Sequence, residues 1–194
     1  MVAGTALQSR YLTAAQLQKL RRHLKQGGVI AYATESCFGL GCDPRNARAV
    51  RRILQLKGRP QSKGLILIAG KINQIKRYIA PLNAAQNKTL MQEWPGPTTF
   101  LLPAKSATPR WLRGGHDKIA VRVTTHADAV ALCDALGMAL VSTSANRSGE
   151  QPAKTYASCA RAFGKSVMVL RGRIGQRKRP STIKDLASGK IVRR

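Results

Sequence analysis

Acidic side chains are the scarcest functional groups in this chain: eight Asp and Glu stand against 34 Lys and Arg in 194 residues, a formal charge of +26. Carboxylates this sparse supply no pair for general acid–base work, so proton transfer is not the expected core of any activity. Aromatic residues make up only 5%. That argues against stacking on single-stranded bases and leaves backbone and shape recognition of folded or double-stranded RNA. Cys37, Cys42, Cys133 and Cys159 form no C-x-x-C pair and no His stands at metal-ligand spacing, so they read as reduced thiols packed like small apolar residues, with no metal site expected. His23, His116 and His126 are scattered, which suits surface or capping roles. Neither G-x-x-x-x-G-K-[ST] nor G-x-G-x-x-G occurs, which removes the P-loop and the dinucleotide fingerprint. The longest apolar runs, such as 65–69, are strand-sized, so no membrane span is expected. The N-terminus lacks a basic segment followed by an apolar core and cleavage site, which predicts a cytoplasmic protein.

What the chain has in excess is positive charge, and it concentrates that charge at one bend. Residues 32–70 read as an apolar strand, a small-polar loop (Thr34-Glu35-Ser36-Cys37-Phe38-Gly39), a basic helix, and Lys57-Gly58-Arg59-Pro60 leading into a second apolar strand. In an open α/β sheet, side chains just beyond strand C-termini converge on one crevice. Lys57, Arg59 and Lys63 fall within seven residues without a carboxylate, a density that suits phosphate oxygens. Cys37 lies in the same loop and is expected to line it rather than act as a nucleophile.

Along the chain, an extended lead-in over 1–12 precedes a helix opened by a Thr13–Gln16 capping box, with Leu17, Leu20 and Leu24 as its apolar stripe and Gly27-Gly28 as its stop. A buried strand over 29–33, a loop over 34–41 and a helix over 47–56 follow, the helix burying Val50, Ile53 and Leu54. Its Arg48, Arg51 and Arg52 face is either solvated or turned to an anion. The pattern then predicts a strand over 65–69, helices over 71–79 and 83–93, a rigid Trp94-Pro95-Gly96-Pro97 turn, and strands over 99–102 and 119–123. A helix over 127–136, a strand over 138–141, a helix over 155–163, a strand over 167–170, a basic loop over 172–180 and two final short strands complete it. Strands alternate with helices and no composition break marks a linker. The expected fold is therefore a single α/β domain over 1–194, a twisted, open, mixed and largely parallel sheet flanked by helices.

Two features of this layout carry chemistry. Arg122 is a lone charge among apolar strand neighbours and needs a partner. A structural salt bridge would supply one, but the shortage of acids favours an anionic ligand. The run Ser142-Thr143-Ser144-Ala145-Asn146-Arg147-Ser148-Gly149 offers hydroxyls and an amide to phosphate, carboxylate or base edges, and would serve equally as a helix-capping turn. A cationic, hydroxyl-rich pocket suits phosphoryl or nucleotidyl transfer, where positioning and charge neutralisation dominate, with any Mg²⁺ held mainly by nucleotide phosphates and water. The alternative is a non-catalytic protein bound to double-stranded or folded RNA, or to the ribosome, for which +26 alone would suffice.

Six stretches taken together closely resemble the YrdC/TsaC family of L-threonylcarbamoyladenylate synthases: Tyr-Ala-Thr-Glu-Ser-Cys-Phe-Gly-Leu-Gly (32–41), Lys-Gly-Arg-Pro with Lys-Gly-Leu-Ile-Leu-Ile-Ala (57–69), Trp-Pro-Gly-Pro-Thr-Thr (94–99), Ala-Val-Arg-Val (120–123), Ser-Thr-Ser-Ala-Asn-Arg-Ser-Gly (142–149) and Pro-Ser-Thr-Ile (180–183). The resemblance spans almost the whole chain and is to the short bacterial form. It implies a YrdC-like fold with a concave basic face, and a reaction in which L-threonine, bicarbonate and ATP give threonylcarbamoyl-AMP and pyrophosphate. That is the first step of tRNA threonylcarbamoyladenosine modification; downstream threonylcarbamoyl-transfer proteins then act on the adenosine beside the anticodon, and tRNA or double-stranded RNA would meet the basic face. The family's K-x-R and S-x-N motifs fall on Lys57, Arg59, Ser144 and Asn146, implying ATP and adenylate binding there, a catalytic role for Lys57 and Arg59, and a phosphate contact at Lys63. The implied threonine site is Thr34, Ser36, Arg122, Ser142, Ser181 and Thr182. Ser36 and Phe38 depart from the Thr and Tyr that many relatives carry.

Overall fold

Local signals start most of the elements. Thr13 accepts a hydrogen bond from the Gln16 N–H while the Gln16 side chain accepts from the Thr13 N–H, so the expected capping box forms and opens α1 (Ala14–Lys25), which buries Leu20 and Leu24. The computed structural model describes residues 12–193; apart from Leu12, the expected lead-in lies outside them. β1 (Ile30–Ala33) is followed by a short turn and β2 (Phe38–Cys42), antiparallel to it. The loop expected over 34–41 is thus mostly a hairpin. Its second strand hides in the sequence because Phe38, Leu40 and Cys42 alternate with Gly39 and Gly41 rather than with polar residues. Gly41 is needed there: a Cβ would sit 2.7 Å from both Tyr32 Cε1 and the Val141 carbonyl oxygen.

Asn46 accepts from the Ala49 N–H and caps α2 (Ala47–Lys57), which ends on Gly58 at φ 59°. Val50, Ile53 and Leu54 are buried and Arg48, Arg51 and Arg52 are exposed, as the pattern predicts. β3 (Ile66–Ala69) follows. The helix expected over 71–79 is a single 3₁₀ turn, Ile72–Gln74, and further turns. Here Gln74 accepts from the N–H groups of Gly70 and Lys71 and donates to the Cys133 carbonyl, a set of bonds that competes with helix propagation. Next come α3 (Ala84–Glu93) capped by Asn83, a cis Trp94–Pro95 bond, β4 (Thr98–Pro103), a one-turn α4 (Arg110–Arg113), β5 (Lys118–Val123) and α5 (Ala127–Leu136). β6 (Leu140–Ser144) runs past its expected end at 141, which puts Ser142 and Ser144 in the sheet; α6 (Tyr156–Phe163), β7 (Met168–Val169), β8 (Thr182–Asp185) and β9 (Ile191–Arg193) complete the chain.

The strands form one sheet in the order β7-β1-β2-β6-β3-β5-β4-β8-β9. It is mixed, as expected, but not largely parallel. Only β1/β7, β3/β5 and β4/β8 run parallel, and the other five neighbouring pairs are antiparallel. Connections as short as those between β1 and β2 or β8 and β9 leave no room for a crossover.

Strand alternation then divides the core. Ala31, Leu40, Leu67, Phe100, Val121 and Val141 pack on one face with Ile53 of α2, Leu90 of α3, Leu112 of α4 and Phe163 of α6. Ile30, Tyr32, Ile68 and Leu140 pack on the other with Leu20 and Leu24 of α1 and Leu132 and Cys133 of α5. Farther along that second face, Gly39, Ile66, Ala120, Arg122 and Ser142 form the floor of a cavity. The register confirms the shared face: Ile66 pairs with Ala120 and with Ser142, and Ile68 with Arg122.

Candidate active site

The cavity holds about 830 Å³ and is bounded by segments far apart in sequence. Thr34, Ser36, Lys57, Arg59, Lys63, Arg122, Ser142, Ser144, Asn146 and Ser181 all line it. Thr182 is the exception among the expected site residues. It lies on β8 opposite Thr98, and the two-residue period of a strand sends Ser181, Ile183 and Asp185 to the cavity and Thr182 to the reverse face.

Lys57, the last residue of α2, is buried at 5% exposure, and its Nζ donates to the Ser144 carbonyl at 2.6 Å, the Asn146 carbonyl at 2.9 Å and Asn146 Oδ1 at 3.0 Å. An ammonium has three protons, and all three are taken. Lys57 therefore acts first as a clasp that fixes the turn after β6, and its charge reaches the cavity through that turn. The Asn146 amide in turn donates to the carbonyls of Arg147 and Glu150, both at 2.8 Å. Burial, and then the neighbouring Arg59, push the Lys57 ammonium down to about 8.

Arg59 follows the helix stop at Gly58. Its Nη2 donates to the Gly64 carbonyl at 3.1 Å, its buried Nε has no partner, and burial lowers its pKa. Lys63 is exposed at the rim.

Arg122 is not the unpaired charge that its sequence neighbours suggested. Its Nη2 lies 2.9 Å from Glu35 Oε2, in a pair whose side chains are only 10% and 11% exposed, and the other Glu35 oxygen accepts the Thr124 hydroxyl. Counting acids shows how few there are but not where the fold sends them. The Arg122 Nε remains buried without a partner, so the ion pair leaves the guanidinium with donor capacity to spare. Thr34 donates to the Cys37 carbonyl at 2.8 Å, and burial first of all raises the Cys37 thiol, which suits a wall residue rather than a thiolate.

Arg193 was missed in the sequence. The β8–β9 hairpin carries it to the cavity, where Nη2 donates to the Ser181 carbonyl at 3.0 Å and to Ser181 Oγ at 3.3 Å, while Thr99 donates to the same hydroxyl at 2.9 Å. Burial, then Arg59, then Arg122 hold its pKa down: three guanidinium groups share one volume. An Arg near the end of a basic chain has no sequence signal that separates it from its neighbours. The carboxylates on the wall are Asp117 and Asp185, and Lys118 holds Asp185 at 2.6 Å. The site thus offers cations and hydroxyls in excess over carboxylates, a composition that receives oxyanions and sheds protonated amines.

Comparison with known proteins places the chain in a family. Residues 22–194 match the model of the Sua5/YciO/YrdC family, described as telomere recombination. A threonylcarbamoyl-AMP synthase of Chromobacterium violaceum is 58% identical over 176 residues, 91% of each chain, and one of Thiobacillus denitrificans is 54% identical over 174 residues, 90% of this chain and 93% of its own. P. abyssi Sua5 complexed with L-threonine superposes with a TM-score of 0.84 at 27% identity over 94% of this chain; this chain spans 54% of that longer one. E. coli YciO superposes with a TM-score of 0.80 at 26% identity, covering 93% of this chain and 89% of its own. The chain belongs to the Sua5/YciO/YrdC family.

Proposed function

We infer that the chain is a nucleotidyltransferase, an L-threonylcarbamoyladenylate synthase that joins L-threonine, bicarbonate and ATP into threonylcarbamoyl-AMP and pyrophosphate, the first step of tRNA threonylcarbamoyladenosine modification. The observation that carries this reading is the meeting of the Lys57–Ser144–Asn146 clasp, Arg59 and Arg193 with Arg122, Thr34, Ser142 and Ser181 in one cavity. Relatives above 50% identity over nine-tenths of the chain carry the name threonylcarbamoyl-AMP synthase, which favours the enzyme over a purely RNA-binding role.

In this reading Arg122 receives the threonine carboxylate through the guanidinium N–H groups that Glu35 does not face, beside the hydroxyls of Thr34, Ser36, Ser142 and Ser181. That leaves the threonine amine, once deprotonated, free to add to the carbon of CO₂ formed from bicarbonate with loss of water, giving the carbamate and releasing its proton to solvent. An oxygen of the resulting carbamate attacks the α-phosphorus, and the bond to the β-phosphate oxygen breaks to release pyrophosphate. Arg59, Lys63 and Arg193 offset the charge on the phosphates, and Ser144, on the turn that Lys57 and Asn146 hold, positions them. Lys57 is a positioning residue here, its own donors being occupied. Mg²⁺ would enter on the phosphates and water, since of the two wall carboxylates Asp185 is already engaged by Lys118, which leaves Asp117 alone. The surplus of cations outside the cavity gives a basis for contact with the tRNA backbone, and the activity belongs in the cytoplasm with that RNA and the transfer proteins that act next. Among the described residues no helix is long and apolar enough to cross a membrane.

Omitting threonine, bicarbonate or ATP in turn from a pyrophosphate-release assay should abolish turnover in each case. Arg59→Ala should lower kcat/KM by roughly 30- to 1,000-fold, about 2–4 kcal/mol of transition-state stabilisation. Turnover without threonine, or an undiminished Arg59→Ala, would reject the assignment.

A pH dependence follows from Lys57. Its ordinary value is 10.5 and its folded value about 8, so as pH rises through about 8 the folded protein gives up this proton, and with it the charge and one of the three donors to Ser144 and Asn146. Between the two values the unfolded chain binds more protons than the folded one, so this group's contribution to stability rises with pH. We expect kcat/KM to fall above pH 8 without an accompanying loss of thermal stability in that range; a flat activity profile to pH 10 would contradict it.

A further inference from the structure

Glu35 is a buried acid in a chain with few acids, and the reaction described above does not use it. It also sits apart from its neighbours. Thr34 and Ser36 line the cavity of the candidate active site, whereas Glu35 lines an adjoining cavity of about 1090 Å³, among Asp128, Arg173 and Arg177. A carboxylate on that side does not touch a substrate held beside Ser142 and Ser181. It touches Arg122.

We propose that Glu35 is a positioning residue for the amino-acid subsite: it holds the Arg122 guanidinium at the angle from which its remaining donors meet the substrate carboxylate. The inference rests on the reading of Arg122 as the carboxylate contact. Arg has a long side chain with several rotatable bonds, and a planar fork is specific only when its plane is fixed. Glu35 restrains it by charge, with Oε2 2.9 Å from Nη2 but out of hydrogen-bond alignment, while Nε stays buried without a partner.

Glu35 is itself held on several sides. One carboxylate oxygen accepts the Thr124 hydroxyl, its backbone carbonyl accepts the Arg177 N–H at 3.1 Å, and the carbonyl of Thr34 accepts the Gly175 N–H at 3.0 Å. Gly175 allows this close approach, because a Cβ there would come within 2.9 Å of the Glu35 carbonyl oxygen. The strap that leads from β7 to Ser181 is therefore stitched to the turn that carries Glu35, and the orientation of Arg122 is set from outside the cavity.

The test is a comparison of steady-state KM for threonine, KM for ATP and kcat in the full chain, for Glu35→Gln, Arg122→Ala and the double variant, each with a thermal melt. Glu35→Gln keeps size and an oxygen for Thr124 but loses the ion pair. It should raise the threonine KM roughly tenfold or more with the ATP KM within about twofold, and it should add nothing further in the Arg122→Ala background. Thr124→Val, which removes only the supporting hydroxyl, should give a smaller rise in the same parameter and decides the matter by the same comparison if Glu35→Gln fails to fold. A wild-type threonine KM in Glu35→Gln while Arg122→Ala is impaired would overturn this proposal and leave the proposed function standing. An equal rise in the KM of both substrates would overturn it as well, as the mark of general disruption. A wild-type threonine KM in Arg122→Ala would instead remove the carboxylate assignment on which it rests.

Discussion

One buried ammonium ties the site together. Lys57 spends all three of its protons on oxygens of Ser144 and Asn146, joining the C-terminal end of α2 to the end of β6 across the mouth of the cavity. A charge taken this far out of water is tolerated only when every donor is matched, and here each is. The cost of burial is visible in the depressed basicity of the group. In return the turn that follows β6 is held in one shape, with the Asn146 amide bonded on both sides, so that Ser144 and Asn146 present to the cavity as a rigid edge rather than as a loop.

The sheet supplies the rest of the frame. Its central strands alternate, so a single face carries Ile30, Tyr32, Ile68 and Leu140 into a core under α1 and α5 and, farther along, Ser142, Arg122 and Gly39 into the cavity. The same pleat that packs the core therefore aims the functional side chains, and it also takes Thr182 away from them. Placing floor residues on strands rather than on loops limits their motion, which is what an assembly of three small reactants demands.

The parts of the structure legible in the sequence are those governed by local chemistry. The Thr13 capping box and the apolar face of α2 were readable over a few residues, and the motifs around Lys57, Arg59, Ser144 and Asn146 pointed to residues that the fold brings to one cavity. What escaped was non-local. β2 alternates large residues with glycine because Tyr32 and Val141 leave no room for a side chain, a constraint visible only once the strands are neighbours. The partner of Arg122 is a glutamate from a different strand connection, and Arg193 becomes a cavity residue only when a terminal hairpin folds back on β4. The expected helix over 71–79 failed for a related reason: the Gln74 side chain is bonded to backbone groups, including one from α5, that a continuing helix would not have satisfied.

The claim on which this account turns is that the Lys57 clasp builds the nucleotide side of the cavity, and the most direct measurement is the affinity of a non-cleavable ATP analogue for Lys57→Met, titrated calorimetrically against the wild-type chain. The variant keeps length and apolar bulk while leaving three oxygens without their donor, so the protein should stay folded and its affinity for the analogue should fall by roughly a hundredfold or more. Wild-type affinity in a folded Lys57→Met would contradict it.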